Sequence, residues 1–136
     1  MPRRPNLTEQ ERIVLSFDHP QVTDTTVWKF FKVPTGRRLR IDAAEYINPT
    51  GLAEAATNVF ALAVKHGSTT LASWSTDSDL SADDMSIPVD TFMTLTPGAA
   101  TTLIAPSAAV LSLTATEGGT ATLPPGRLVL HCRYVD

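Results

Sequence analysis

The sequence predicts an all-β domain, and three observations carry that prediction. The segments between turn signals are short and rich in Val, Leu, Ile, Thr and aromatic residues, which is strand composition. Ten prolines and seven glycines recur between those segments, at intervals suited to strands and too close for long helices. Within the segments, apolar and polar residues alternate with a period of two, and helix-period stretches are scarce.

The strands follow in order. Residues 11–17 place Ile13, Leu15 and Phe17 on one face, and His19-Pro20 ends the run. Residues 26–33 (TVWKFFKV) are apolar on both faces, as in a strand covered on two sides, and Pro34-Thr35-Gly36 supplies a turn. Residues 37–47 put Leu39, Ile41 and Ala43 on one side and Arg38, Arg40 and Asp42 on the other. The phase then slips to Ala44 and Tyr46, the mark of a β-bulge. Asn48-Pro49-Thr50-Gly51 is a turn, and residues 52–57 (LAEAAT) suit a helical turn ahead of a strand at 58–66. Gly67-Ser68 links that strand to another at 69–76.

Residues 77–90 are acidic and turn-rich, a loop with room for one helical turn. A strand at 91–96 ends on Pro97-Gly98, and 99–107 is a small-residue connection or short strand. Residues 109–116 alternate with Leu111 and Leu113 inward, a turn closes at 117–120, and residues 127–135 point Leu128, Leu130, Cys132 and Tyr134 one way. About eight strands with turns every 8 to 12 residues imply an antiparallel β-sandwich or a barrel, because each strand must bury its apolar face against a second layer.

Length and charge narrow the function. A chain of 136 residues suits one domain, 43% apolar and 18% charged. No run approaches the roughly 18 apolar residues of a membrane span, and polar residues 7–12 stand where a signal peptide needs an apolar stretch. Net charge is −3, unevenly laid out: residues 1–40 hold eight of the eleven Lys and Arg, and residues 41–136 hold ten of the fourteen acids. Such asymmetry suits either an arm that seeks an acidic partner or pairing within the chain.

Catalytic and cofactor patterns fail one by one. His19, His66 and His131 stand apart without metal-ligand spacing, and Cys132 has no second cysteine, so no metal or cofactor is expected. Cys132 falls on the inward face and reads as core filler rather than nucleophile. Asp77, Asp79, Asp83 and Asp84 invite a calcium reading, but an EF-hand loop needs Gly where Ala82 stands and Glu where Pro88 stands. No phosphate-cradling glycine loop or nucleophile elbow occurs, and no enzyme is expected.

Two basic clusters remain as candidate interface residues: Arg3, Arg4, Pro5 and Asn6 in a proline-flanked arm over residues 1–10, ahead of the main domain at 11–136, and Arg37, Arg38 and Arg40 on a strand edge or solvent face. Pro2 and Pro5 favour an extended arm that orders on a neighbouring surface, against the simpler reading of a frayed terminus. Nucleic-acid contact is not expected, because the base-stacking aromatics of single-strand binders are missing around both clusters.

The stretch FFKVPTGRRLRIDAAEYINPTGLAEAATNVFALAVKHG (30–67), with LASWSTDSDL, DTFMTLTP and TATLPPGRLVLHCRYV, resembles small structural proteins of tailed bacteriophages, the capsid decoration or cement proteins. YINPTGLAEAATNVFAL (46–62) and LPPGRLVLHCRYV (123–135) carry most of that resemblance. It implies a jelly-roll-like sandwich that forms dimers or trimers, is made in the host cytoplasm and sits on the capsid exterior of the virion. There it would cement neighbouring major capsid protein subunits, with no catalytic residues. On this view residues 1–10 lie on the major capsid protein, Arg3 and Arg4 meeting acidic groups. The competing class is a carbohydrate- or receptor-binding sandwich presenting exposed aromatics. Trp28 and Trp74, both within predicted strands, are expected to face the core instead.

Overall fold

A computed structural model describes residues 12–76, 86–99 and 103–135. Ten strands and no helix occupy the described residues: β1 (Arg12–His19), β2 (Thr26–Lys32), β3 (Arg38–Ile47), β4 (Val59–His66), β5 (Thr69–Ser75), β6 (Met93–Thr94), β7 (Thr96–Pro97), β8 (Ile104–Ala105), β9 (Val110–Gly118) and β10 (Gly126–Val135).

They form two antiparallel sheets. In the first sheet the order is β1-β10-β3, with β6 and β8 sharing the far edge of β3; in the second it is β2-β9-β4-β5-β7. The pairings are nested: β1 with β10, β2 with β9, β3 with β6 and β8, and β4 with β5. A long antiparallel ribbon folded over on itself produces that nesting, and the result is the jelly-roll arrangement of a sandwich.

The period-two pattern works as the sequence predicts. Leu128, Leu130 and Cys132 of β10 and Leu39, Ile41, Ala44 and Tyr46 of β3 are buried against Leu111, Leu113 and Ala115 of β9 and Phe60, Leu62 and Val64 of β4. Three bulges adjust the alternation. Asp42 is the extra residue in β3, where the register passes from His131↔Ala43 to Cys132↔Ile41; the phase slip seen in the sequence thus falls before Ala43 and not after it, and Ala43, expected inward, shares the face of His131. Phe30 is the extra residue in β2 and Leu71 in β5. Each of these two lets consecutive large or small apolar residues, Phe30-Phe31 and Leu71-Ala72, pack on the core.

The two open sides of the sandwich are closed differently. On one side residues 93–97 cross from sheet to sheet: β6 pairs with β3, Leu95 is buried with its amide on the Ala44 carbonyl, and β7 pairs with β5. On the other, an aromatic series joins the edge strands β1 and β2, Phe30 stacking on Phe17, Phe17 against Trp28, and Trp28 on His19, which stacks in turn on Tyr46 of β3.

Two local expectations are corrected. β2 is an edge strand with Val27 and Lys29 exposed, so it is covered on one face and not on two. Residues 52–57 form no helical turn; the Leu52 amide donates to the Ile87 carbonyl and the Ala55 amide to the Thr76 carbonyl, tying the segment to neighbouring chain. The proposed helical turn within the acidic loop at 77–90 falls mostly on residues outside the described ones.

Candidate functional site

The outer face of the first sheet gathers charges that are far apart in sequence. Arg12 of β1 lies opposite Arg133 of β10, and Arg133 lies opposite Arg40 of β3, so three arginines form one row across three strands. Arg38, two residues before Arg40 on β3, extends the same face and is exposed. Like charges directly opposite each other weaken a sheet. The row is offset by Asp42, which the β3 bulge turns outward, its Oδ1 3.5 Å from Arg40 Nε and 3.4 Å from Arg133 Nε. Both Nε atoms are buried and make no hydrogen bond of good geometry, so one carboxylate only partly serves two guanidinium groups.

A shallow groove of about 370 Å³ opens beside the row, lined by Arg12, Val14, Asp42, His131 and Arg133. Val14 is 64% exposed, an apolar residue set among cations. Further along the same face the polar groups are partnered: His131 Nε2 meets Glu45 Oε1 at 2.5 Å, and Arg127 binds the Asp18 carboxylate with Nε and Nη2 at 2.6 and 3.2 Å. Arg127 holds the Asp18 carboxyl below its ordinary pKa. Among the described residues the surplus of positive charge on this face therefore lies at one end of the sheet.

The residues singled out in the sequence divide. Arg3, Arg4, Pro5 and Asn6 lie outside the described residues. Arg38 and Arg40 belong to the outer face, but Arg37 folds over the Tyr134 ring, its Cζ 4.2 Å from the centroid, in cation–π contact at the end of the core. Arg12 and Arg133 are the members that sequence reasoning missed. Neither sits in a basic run, and only the strand register brings them beside Arg40.

A comparison with protein-family models and a search of curated proteins both find no match.

In the described core the titratable side chains of His19 and Tyr46 converge with the carboxamide of Asn48. His19 Nδ1 bonds the Pro20 carbonyl at 2.7 Å. A carbonyl only accepts, so Nδ1 carries the proton and Nε2 accepts from the Tyr46 hydroxyl. That hydroxyl accepts in turn from Asn48 Nδ2 at 3.1 Å, and the same amide donates to the Pro124 carbonyl at 2.8 Å. Asn48 Oδ1 accepts from the Thr50 and Gly51 amides, both at 3.0 Å, which closes the predicted turn. Burial pushes the Tyr46 hydroxyl up to about 12. Every polar atom named here has a partner within the chain, the pattern of a network that fixes the strand ends.

The tryptophans pack on the core, as the sequence predicts: Trp28 stacks on His19 with 5.1 Å between ring centroids, and Trp74 lies opposite Leu62 at the margin of the cluster. Among the described residues no cluster of His, Cys, Asp and Glu has the arrangement to hold a metal ion.

Proposed function

We propose that this chain is a structural, non-catalytic module that docks the arginine end of its first sheet onto an acidic protein surface. The observation that supports the reading is the row Arg12-Arg133-Arg40, three like charges held side by side, with Asp42 as the shared counter-ion of Arg40 and Arg133. Such a row costs the free protein stability, and an acidic partner reverses the sign of that cost. Arg is enriched at protein interfaces, and the exposed Val14 beside the row adds the apolar contact that an interface centre uses.

With the resemblance to tailed-phage decoration proteins, the partner becomes the major capsid protein. The module would sit on the capsid exterior and cement neighbouring subunits, with residues 1–10 as an additional arm. A sandwich closed by side chains and by a sheet-to-sheet crossing is suited to that mechanical role.

The deciding experiment mixes purified protein with undecorated capsids and measures stoichiometry, salt dependence and heat resistance of the shell. A fixed stoichiometry, weakening with added salt, supports the proposal, and Arg40→Glu with Arg133→Glu should reduce affinity by about a hundredfold, since each reversal sets a like charge against the partner. Absence of binding, or binding indifferent to both reversals, would overturn it.

A further inference from the structure

The sandwich has four sheet edges, and the chain treats one of them unlike the rest. At the far side the edges are β6 and β8, each of two residues, in the first sheet, and in the second the two-residue β7 with the rest of β5, which is bulged at Leu71; the short strands offer too little ladder to recruit another strand. At the near side β2 is guarded by its bulge at Phe30 and by the exposed Lys29 and Lys32. Bulges, edge lysines and short strands are the usual devices against strand addition. β1 has none of these. It runs eight residues in unbroken register from Arg12↔Arg133 to His19↔Gly126, contains no proline or lysine, and pairs on one side only. Its outward-directed backbone groups have no backbone partner among the described residues.

We infer that β1 is a self-association edge, at which two copies of this chain join antiparallel, β1 against β1, about a two-fold axis at Leu15. The side chains select that register. With Leu15 opposite Leu15 of the second copy, Arg12 of each copy faces Asp18 of the other, Val14 faces Ser16, and Ile13 faces Phe17. Sliding by two residues in either direction loses both charge pairs: Arg12 then faces Ser16 or Pro20. A one-residue shift sets outward side chains opposite inward ones and is excluded by the pleat.

Both faces of the joint gain. Outside, the exposed Arg12 of each copy meets the 67%-exposed Asp18 of the other, a carboxylate that also holds Arg127 of its own copy, once at each end of the joint. Inside, Ile13, Leu15 and Phe17, half-buried against their own core, meet their counterparts across the joint. The interface is isologous and closed, so it yields a dimer and not a filament. It shares Arg12 with the capsid proposal but is read on the purified chain alone, whereas the capsid proposal is read through Arg40 and Arg133, so the failure of one is distinguishable from the failure of the other.

Sedimentation of the full chain over a range of concentrations tests it. A monomer–dimer equilibrium is expected. Arg12→Asp sets like charges opposite at both ends of the joint while leaving the Arg127–Asp18 pair intact, and should raise the dimer dissociation constant about tenfold or more. Arg12→Lys keeps the charge and should leave it within about threefold of the starting value. Hydrogen exchange on the unaltered chain gives a readout free of folding effects: alternate β1 amides should become protected as the dimer forms. A monomer at every concentration, a dimer indifferent to Arg12→Asp, or β1 amides unprotected in the dimer would each overturn the inference.

Discussion

The Tyr46 hydroxyl donates to Nε2 of His19, and the two rings stack with 5.7 Å between their centroids. One side chain comes from β3 and the other from the end of β1. Their hydrogen bond thus spans the width of β10, which separates those strands in the sheet.

Stability should fall in mild acid because of that bond. Burial lowers the His19 pKa, only partly opposed by the Pro20 carbonyl and the Asp18 charge. A base with a depressed folded pKa leaves the unfolded chain holding more protons, so its contribution is complete above the unfolded value of about 6.5 and is lost as pH falls through the folded value. Denaturant midpoints measured from pH 8 to pH 5 should decline below about 6.5. In His19→Gln the decline attributable to this site should vanish.

Gly126 leaves the space that the Tyr46 hydroxyl fills, and a Cβ there would overlap both that hydroxyl and the end of the Tyr46 ring. Gly126→Ala should therefore cost about 1–3 kcal/mol by overpacking. Tyr46→Phe tests the polar half of the same contact: with the Asn48 amide and His19 Nε2 deprived of a partner, about 1–3 kcal/mol should be lost. Urea unfolding of both variants reads the two costs, which should not add because the residues touch.

Leu95 is 1% exposed and lies where the chain crosses from one sheet to the other. Leu95→Ala should destabilise by about 2–5 kcal/mol, the range for a buried leucine replaced without collapse of the site. Because β6 and β7 are so short, proteolysis near residues 91–98 should rise more than elsewhere in that variant.

Cys132 should be inert to thiol reagents in the folded protein. It is 2% exposed, and burial, reinforced by the Asp42 charge, pushes its thiol up to about 12. Its labelling rate at pH 8 should follow global unfolding and should quicken in Leu95→Ala in proportion to the lost stability.

The strands were legible because period two is a direct imprint of burial: Leu128, Leu130 and Cys132, or Leu111 and Leu113, can face inward together in no other local structure. The Asp42 bulge was legible for the same reason, since an extra residue must break the phase. Residues 26–33 misled because the Phe30 bulge turns Phe30 and Phe31 both toward the core, which imitates a strand buried on two faces. Residues 52–57 misled through helix-favouring alanines that tertiary hydrogen bonds override. Two of the three arginines in the row could not be read at all. Positions 12, 40 and 133 become neighbours only through the β1-β10-β3 pairing, and no local signal in the chain announces which strand will stand between which others.

The place of β10 has a consequence for how the molecule comes into being. It is the last strand of the described chain and the middle partner of β1 and β3. Until it arrives, β1 and β3 have no ladder between them, and the Tyr46–His19 contact has no frame. A chain emerging residue by residue must hold β1 without its ladder, and β3 with only the two-residue β6 and β8 beside it, until β10 has been made. Folding governed by such distant pairings takes milliseconds to seconds, far slower than for helical bundles of similar size. Truncation within 126–135 should therefore abolish the fold entirely, where loss of a peripheral strand would merely loosen it.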